Sequence, residues 1–130
     1  MRRRYFAVAV LAIVALAASP GAAGAHKAKY KSIVEIDAYL FSGAFEGTVG
    51  SFANKKCSAK RVVAVWKRNP GAMDGPMGTA RSGKGGAWRL NVTAPSGSYY
   101  ATVKPRRLGK KTRKHKHVCK ADRSSNFVVP

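Results

Sequence analysis

Carboxylates are scarce in this chain: Glu35, Asp37, Glu46, Asp74 and Asp122 are the five acids among 130 residues. An acid and base pair has little to be built from. Glu35 and Asp37 stand two apart on an expected strand, hence on one face, with Glu46 on a neighbouring strand; exposed carboxylates beside Lys and Arg are the simpler account. Cysteine is limited to Cys57 and Cys119, with no CxxC and no further ligand at metal spacing, which argues against a thiolate metal site or a dithiol redox pair. The three histidines, His26, His115 and His117, are not matched by any serine in a nucleophile-elbow context. Ser82-Gly83-Lys84-Gly85-Gly86 lacks the G-x-x-x-x-G-K-S/T spacing and the following helix of a phosphate loop, so it reads as a turn. No segment of ten or more residues keeps a helical period, and no later apolar run approaches the roughly 20 residues that span a bilayer. These absences leave no catalytic residues and no cofactor to expect.

What is present begins with Arg2, Arg3 and Arg4, followed by the apolar run Tyr5 to Ala18 and by Ala23-Gly24-Ala25. A positive start, an apolar stretch of about 14 residues and a small-x-small site describe a secretory signal peptide, residues 1–25, that is helical in its apolar part and cleaved after Ala25. The expected mature chain is exported and not integral to the membrane. It keeps 22 Lys and Arg against the five acids, a charge that favours solubility and draws the protein to polyanions. In an oxidising compartment Cys57 and Cys119 read as one disulfide. Closing a loop of about 60 residues, it is expected to contribute on the order of 4 kcal/mol.

After a short tail at 26–31, alternating apolar and polar residues mark strands at Ser32 to Ala38, Phe45 to Phe52, Arg61 to Lys67, Met77 to Arg81, Ala87 to Thr93, Ser98 to Lys104 and Asn126 to Val129. Asn69-Pro70-Gly71 and Ala94-Pro95-Ser96-Gly97 supply turns. The Met77 to Arg81 and Ala87 to Thr93 strands are expected to form a hairpin. Seven short strands with no helical segment predict one all-β domain over 32–130, a seven-stranded β-sandwich. Cys57 precedes the third strand and Cys119 the seventh, so the bridge would staple one end.

The one biased segment is Lys104 to Lys120, which holds nine Lys or Arg and no acid and reads as a long loop. Arg106, Arg107, Lys110, Lys111, Arg113, Lys114 and Lys116 are its candidate contacts for an anionic polymer, lipid headgroups or nucleic acid, although no aromatic within it could stack a base. The alternative is charge that serves solubility alone. His115 and His117 are either members of this loop or a weak metal site. Cleavage after Ala25 would also place His26 at the N-terminus, where its amine and imidazole could chelate Cu(II) with His115 or His117 adding a nitrogen.

Phe45-x-Gly47-x-Val49, Cys57, Arg61-Val62-Val63, Gly78-Thr79, Gly86-Ala87-Trp88 and Gly97-Ser98-Tyr99-Tyr100-Ala101-Thr102-Val103, taken in order, resemble the carboxypeptidase-regulatory-like, or transthyretin-like, modules of secreted bacterial proteins. Where many such modules carry Asp before the aromatic strand, this chain has Ser82-Gly83-Lys84-Gly85-Gly86. The resemblance implies a Greek-key sandwich with Trp88 and a tyrosine in its core, acting as a structural or binding module without catalytic residues.

Overall fold

The computed structural model describes residues 26–109 and 115–130; the expected signal segment lies outside them. Among the described residues the chain is all-β, with eleven strands in three sheets and one 3-10 turn at Lys55–Cys57. The strands are β1 His26–Tyr30, β2 Ile33–Leu40, β3 Ala44–Gly50, β4 Val62–Lys67, β5 Gly75–Arg81 and β6 Ala87–Asn91. They continue with β7 Gly97–Val103, β8 Arg106–Leu108, β9 His115–Cys119, β10 Asp122–Arg123 and β11 Phe127–Val129.

Two sheets enclose the core, an arrangement consistent with a β-sandwich. One runs β2-β3-β6; the other runs β10-β7-β4-β5, with β11 also paired to β7. Period-two alternation decides what they bury. Phe45 and Val49 on β3, Val63 and Val65 on β4, and Tyr99, Ala101 and Val103 on β7 all point inward, joined by Val34, Trp88 and Val129. Burying each of the larger side chains is worth about 1.5–3 kcal/mol. A bulge between Ile36 and Ala38 leaves Asp37 unpaired and shifts the parity of β2, so that Tyr39 joins the core beyond it. Its ring lies 4.8 Å from Phe45, which in turn lies 5.1 Å from Tyr99. Gly47 has no room for a side chain, because a Cβ there would come within 2.0 Å of the Glu35 carbonyl oxygen and 2.4 Å of the Trp88 ring.

Several sequence expectations need correction, beginning with the count of seven strands, since the described residues hold eleven. The 26–31 tail is a strand, β1, because β9 offers it a parallel partner. The Lys104 to Lys120 loop contains β8 and the whole of β9, which pair with each other in the third sheet, β1-β9-β8. Cys119 therefore ends a strand of its own, β9, with β10 between it and the last strand. The expected hairpin is not formed: β5 pairs with β4, and β6 with β3, in opposite sheets. The turn chemistry between them holds, with Gly83 N–H donating to the Ala87 carbonyl and Gly86 at φ +92°. However, Val49 N–H bonds the Gly86 carbonyl and commits β6 to the sheet of β3. Gly78 leaves room for Leu90, so β5 and β6 stack across the core instead of pairing.

The two ends of the core differ. The β2–β3 turn around Phe41, the β4–β5 turn and the segment Asn91–Gly97 gather at one end. The other end carries Gly50, Cys57, Arg61, Ser82 and the third sheet.

Candidate functional site

The third sheet contains few apolar residues, and its register sorts them. β9 is central, parallel to β1 with Lys27 opposite Lys116 and Lys29 opposite Val118, and antiparallel to β8 with Arg107 opposite Val118. Because paired residues and those two apart share a face, Lys27, Lys29, Arg107, Lys116 and Val118 lie together. All four cations are exposed, and Val118 is half-buried among them. Strand geometry separates neighbours by about 4.8 Å across strands and about 6.6 Å along them, a grid of positive charge two residues deep and three strands wide. Among the described residues the one ion pair, Arg89 to Glu46 at 2.9 Å, is elsewhere, so no carboxylate neutralises this grid.

The opposite face looks back at the core. Cys119 is fully buried, and Tyr30, His117, Arg106 and Leu108 are partly so. The Tyr30 hydroxyl is 2.9 Å from His117 Nδ1. Arg106 donates to the Ala59 carbonyl, which ties β8 to the core and removes this guanidinium from the outer surface.

Arg61, just before β4, anchors the sheet. It is 1% exposed, yet among the described residues no carboxylate pairs with it. Its Nη1 donates to the Cys57 carbonyl at 2.7 Å and to Ser32 Oγ at 3.0 Å. Its Nη2 donates to the carbonyls of Lys104 at 2.9 Å and Lys120 at 3.2 Å. The planar fork thus holds both ends of the basic excursion and the base of the disulfide at once. Burial, with a smaller contribution from Arg106, lowers its pKa from the ordinary arginine value. The group keeps its charge because arginine starts so far above neutrality, and four acceptor oxygens take the place of water. The Cys57–Cys119 disulfide, with its Cα atoms 5.6 Å apart, completes the attachment.

Asp122 and Asp74 have structural partners. Asp122 Oδ2 accepts from Val34 N–H at 2.8 Å and links the two core sheets. Asp74 accepts from Asn69 N–H at 3.0 Å and from the Tyr100 hydroxyl at 2.7 Å, closing the β4–β5 turn. These two bonds, the Asn69 one first, hold its pKa below the usual carboxylate value, and the Asp74 bond raises that of Tyr100. Arg123 lies over the Tyr100 ring at 3.7 Å. Glu35 and Asp37 are exposed.

Of the basic residues singled out by sequence, Arg107 and Lys116 lie on the outer face and Arg106 is turned inward; Lys110, Lys111, Arg113 and Lys114 lie outside the described residues. Sequence reasoning missed Lys27 and Lys29, although the K-x-K spacing of His26–Tyr30 is that of a strand face. It also missed the anchoring role of Arg61, for which the local sequence holds no signal. The backbone register sets His26 opposite His115 and Ala28 opposite His117. Among the described residues, no group of three His, Cys, Asp or Glu could hold a metal ion. No family model, no curated protein and no solved structure matches the chain.

Proposed function

We propose that this chain is an exported, non-enzymatic structural or binding module that contacts polyanions at or outside the cell envelope through the outer face of its third sheet. The observation that carries this is the exposed grid of Lys27, Lys29, Arg107 and Lys116 with no carboxylate against it. Long-range attraction and release of counterions would supply the affinity. Export, with cleavage after Ala25, is supported by the Cys57–Cys119 disulfide, a bond of oxidising compartments. A Greek-key module of the carboxypeptidase-regulatory-like kind is supported by Trp88 and Tyr99 in the core and by the positive φ of Gly86 and Gly97 at its turns.

The test is salt elution from a heparin column, comparing the wild-type chain with a variant carrying Ala at Lys27, Lys29, Arg107 and Lys116. All four are exposed, so stability is expected to change by less than about 0.5 kcal/mol, while elution moves to clearly lower salt. Equal elution of the two proteins overturns the assignment.

A second reading, copper binding through His26, is favoured by one observation: the register sets His26 opposite His115, two residues from His117 on the same strand. An N-terminal amine on His26 is required for the chelate. Mass spectrometry of the secreted protein decides it, since any other N-terminus removes that ligand.

A further inference from the structure

The polyanion reading leaves the ligand open among linear polymers and charged surfaces, and one side chain discriminates between them. Phe52 is 100% exposed in the segment that follows β3. Gly50, with which β3 ends, pairs with Ile33 at the start of β2, so Phe52 leaves the core at the end that carries the basic sheet. The segment continues into the 3-10 turn Lys55–Cys57, in which Lys55 and Lys56 are exposed and Cys57 is buried. That turn packs against β8, and its cysteine is bonded to β9. Asn54 caps it, its side chain accepting from Lys56 N–H at 2.9 Å. Phe52, the two lysines of the turn that follows it in the chain and the four-cation grid therefore belong to one covalently fastened end of the molecule, with Glu35 the one carboxylate lining the same hollow as Phe52.

A linear polyanion without bases gains nothing from a fully exposed phenyl ring. Among the described residues no aromatic stands on the cation face itself, Tyr30 lying on the opposite one, so Phe52 is a single ring and offers no run of stacked bases. An anionic bilayer uses both features. Each Lys or Arg held near a negative leaflet adds to the attraction, and an apolar side chain that reaches the acyl boundary adds the second signal needed for stable peripheral attachment. Phe41, 86% exposed in the β2–β3 turn, sits at the far end and would face away from the surface.

We infer that the anionic partner is a lipid bilayer, met end-on, with Phe52 inserted at the interface and Lys27, Lys29, Lys55, Lys56, Arg107 and Lys116 set toward acidic headgroups. The inference rests on the polyanion reading and narrows it to one partner.

The experiment is flotation of the naturally processed chain, its N-terminus verified by mass, with vesicles of phosphatidylcholine alone or carrying a minority of phosphatidylglycerol. Wild type is expected to float with the anionic vesicles only. Phe52→Ser is expected to weaken that binding about tenfold while leaving elution from heparin unchanged, and Phe41→Ser to change neither. Phe52→Ser floating like wild type, or Phe41→Ser losing as much, overturns the end-on bilayer contact. Retention on heparin without flotation also overturns it, in favour of a linear polymer, and leaves the polyanion reading standing. Loss of both in the wild-type chain removes the two together.

Discussion

The core sheets and the basic sheet are built of the same backbone hydrogen bonds but held in place by different physics. In the core, alternating strands remove Phe45, Val63, Val65, Tyr99 and their neighbours from water, and many weak contacts share the load. In the basic sheet the exposed positions are Lys27, Lys29, Arg107 and Lys116, whose mutual repulsion opposes assembly. What keeps it in place is concentrated: the Cys57–Cys119 bond, the Arg61 fork, the bond from Arg106 to the Ala59 carbonyl and the Tyr30 carbonyl accepting from Lys120 N–H at 2.8 Å. Charge can be displayed densely only where something other than apolar burial supplies the attachment.

The sharpest way to break this contrast is to replace Cys57 and Cys119 together by Ala. A loss of about 4 kcal/mol in chemical denaturation is expected from the chain-entropy model. Hydrogen exchange should speed up first in β1, β8 and β9, while the amides of β4 and β7 keep their protection. Equal acceleration in both regions would show that core and basic sheet open as one unit.

Arg61→Met is expected to cost about 3 kcal/mol, because it leaves three backbone carbonyls in a buried setting without a donor. Arg61→Lys should recover only part of this, since an ammonium has no planar fork. If urea denaturation finds Arg61→Lys as stable as wild type, the multidentate anchor is not what holds the junction.

The smallest effect concerns the end of the core away from the basic sheet. Asp74 has its pKa depressed by its bonds to Asn69 and Tyr100, so its contribution to stability is present above the ordinary carboxylate pKa of about 3.9 and is lost as pH falls below it. Asp74→Asn should therefore be less stable than wild type at pH 6, with the gap closing in strong acid. Thermal melts at both pH values measure it, and a gap independent of pH would show that the carboxylate charge is not what matters in this turn.

The expected strands correspond to β2, β3, β4, β5, β6, β7 and β11, where apolar alternation is strong: Phe45-x-Gly47-x-Val49 and Tyr99-x-Ala101-x-Val103 show their inner faces directly. β1, β8, β9 and β10 were not legible, for two reasons. HKAKY and HKHVC alternate cations with residues of mixed character, so no apolar period marks them. Arg106–Leu108 and Asp122–Arg123 are too short to carry any period. The candidate site suffered the same way. Dense charge near Lys104 to Lys120 was visible, but Lys27 and Lys29 join it across almost ninety residues of chain, through a parallel pairing that no local pattern announces.

By itself the sequence determined the all-β class, the scarcity of acids that leaves the domain strongly basic and the pairing of its only two cysteines, because these follow from composition and from period-two burial. Tertiary structure alone decided which cations share a surface. Register between distant strands assigns each residue to a face, and the buried guanidinium of Arg61 reads three carbonyls that only the folded chain brings within reach.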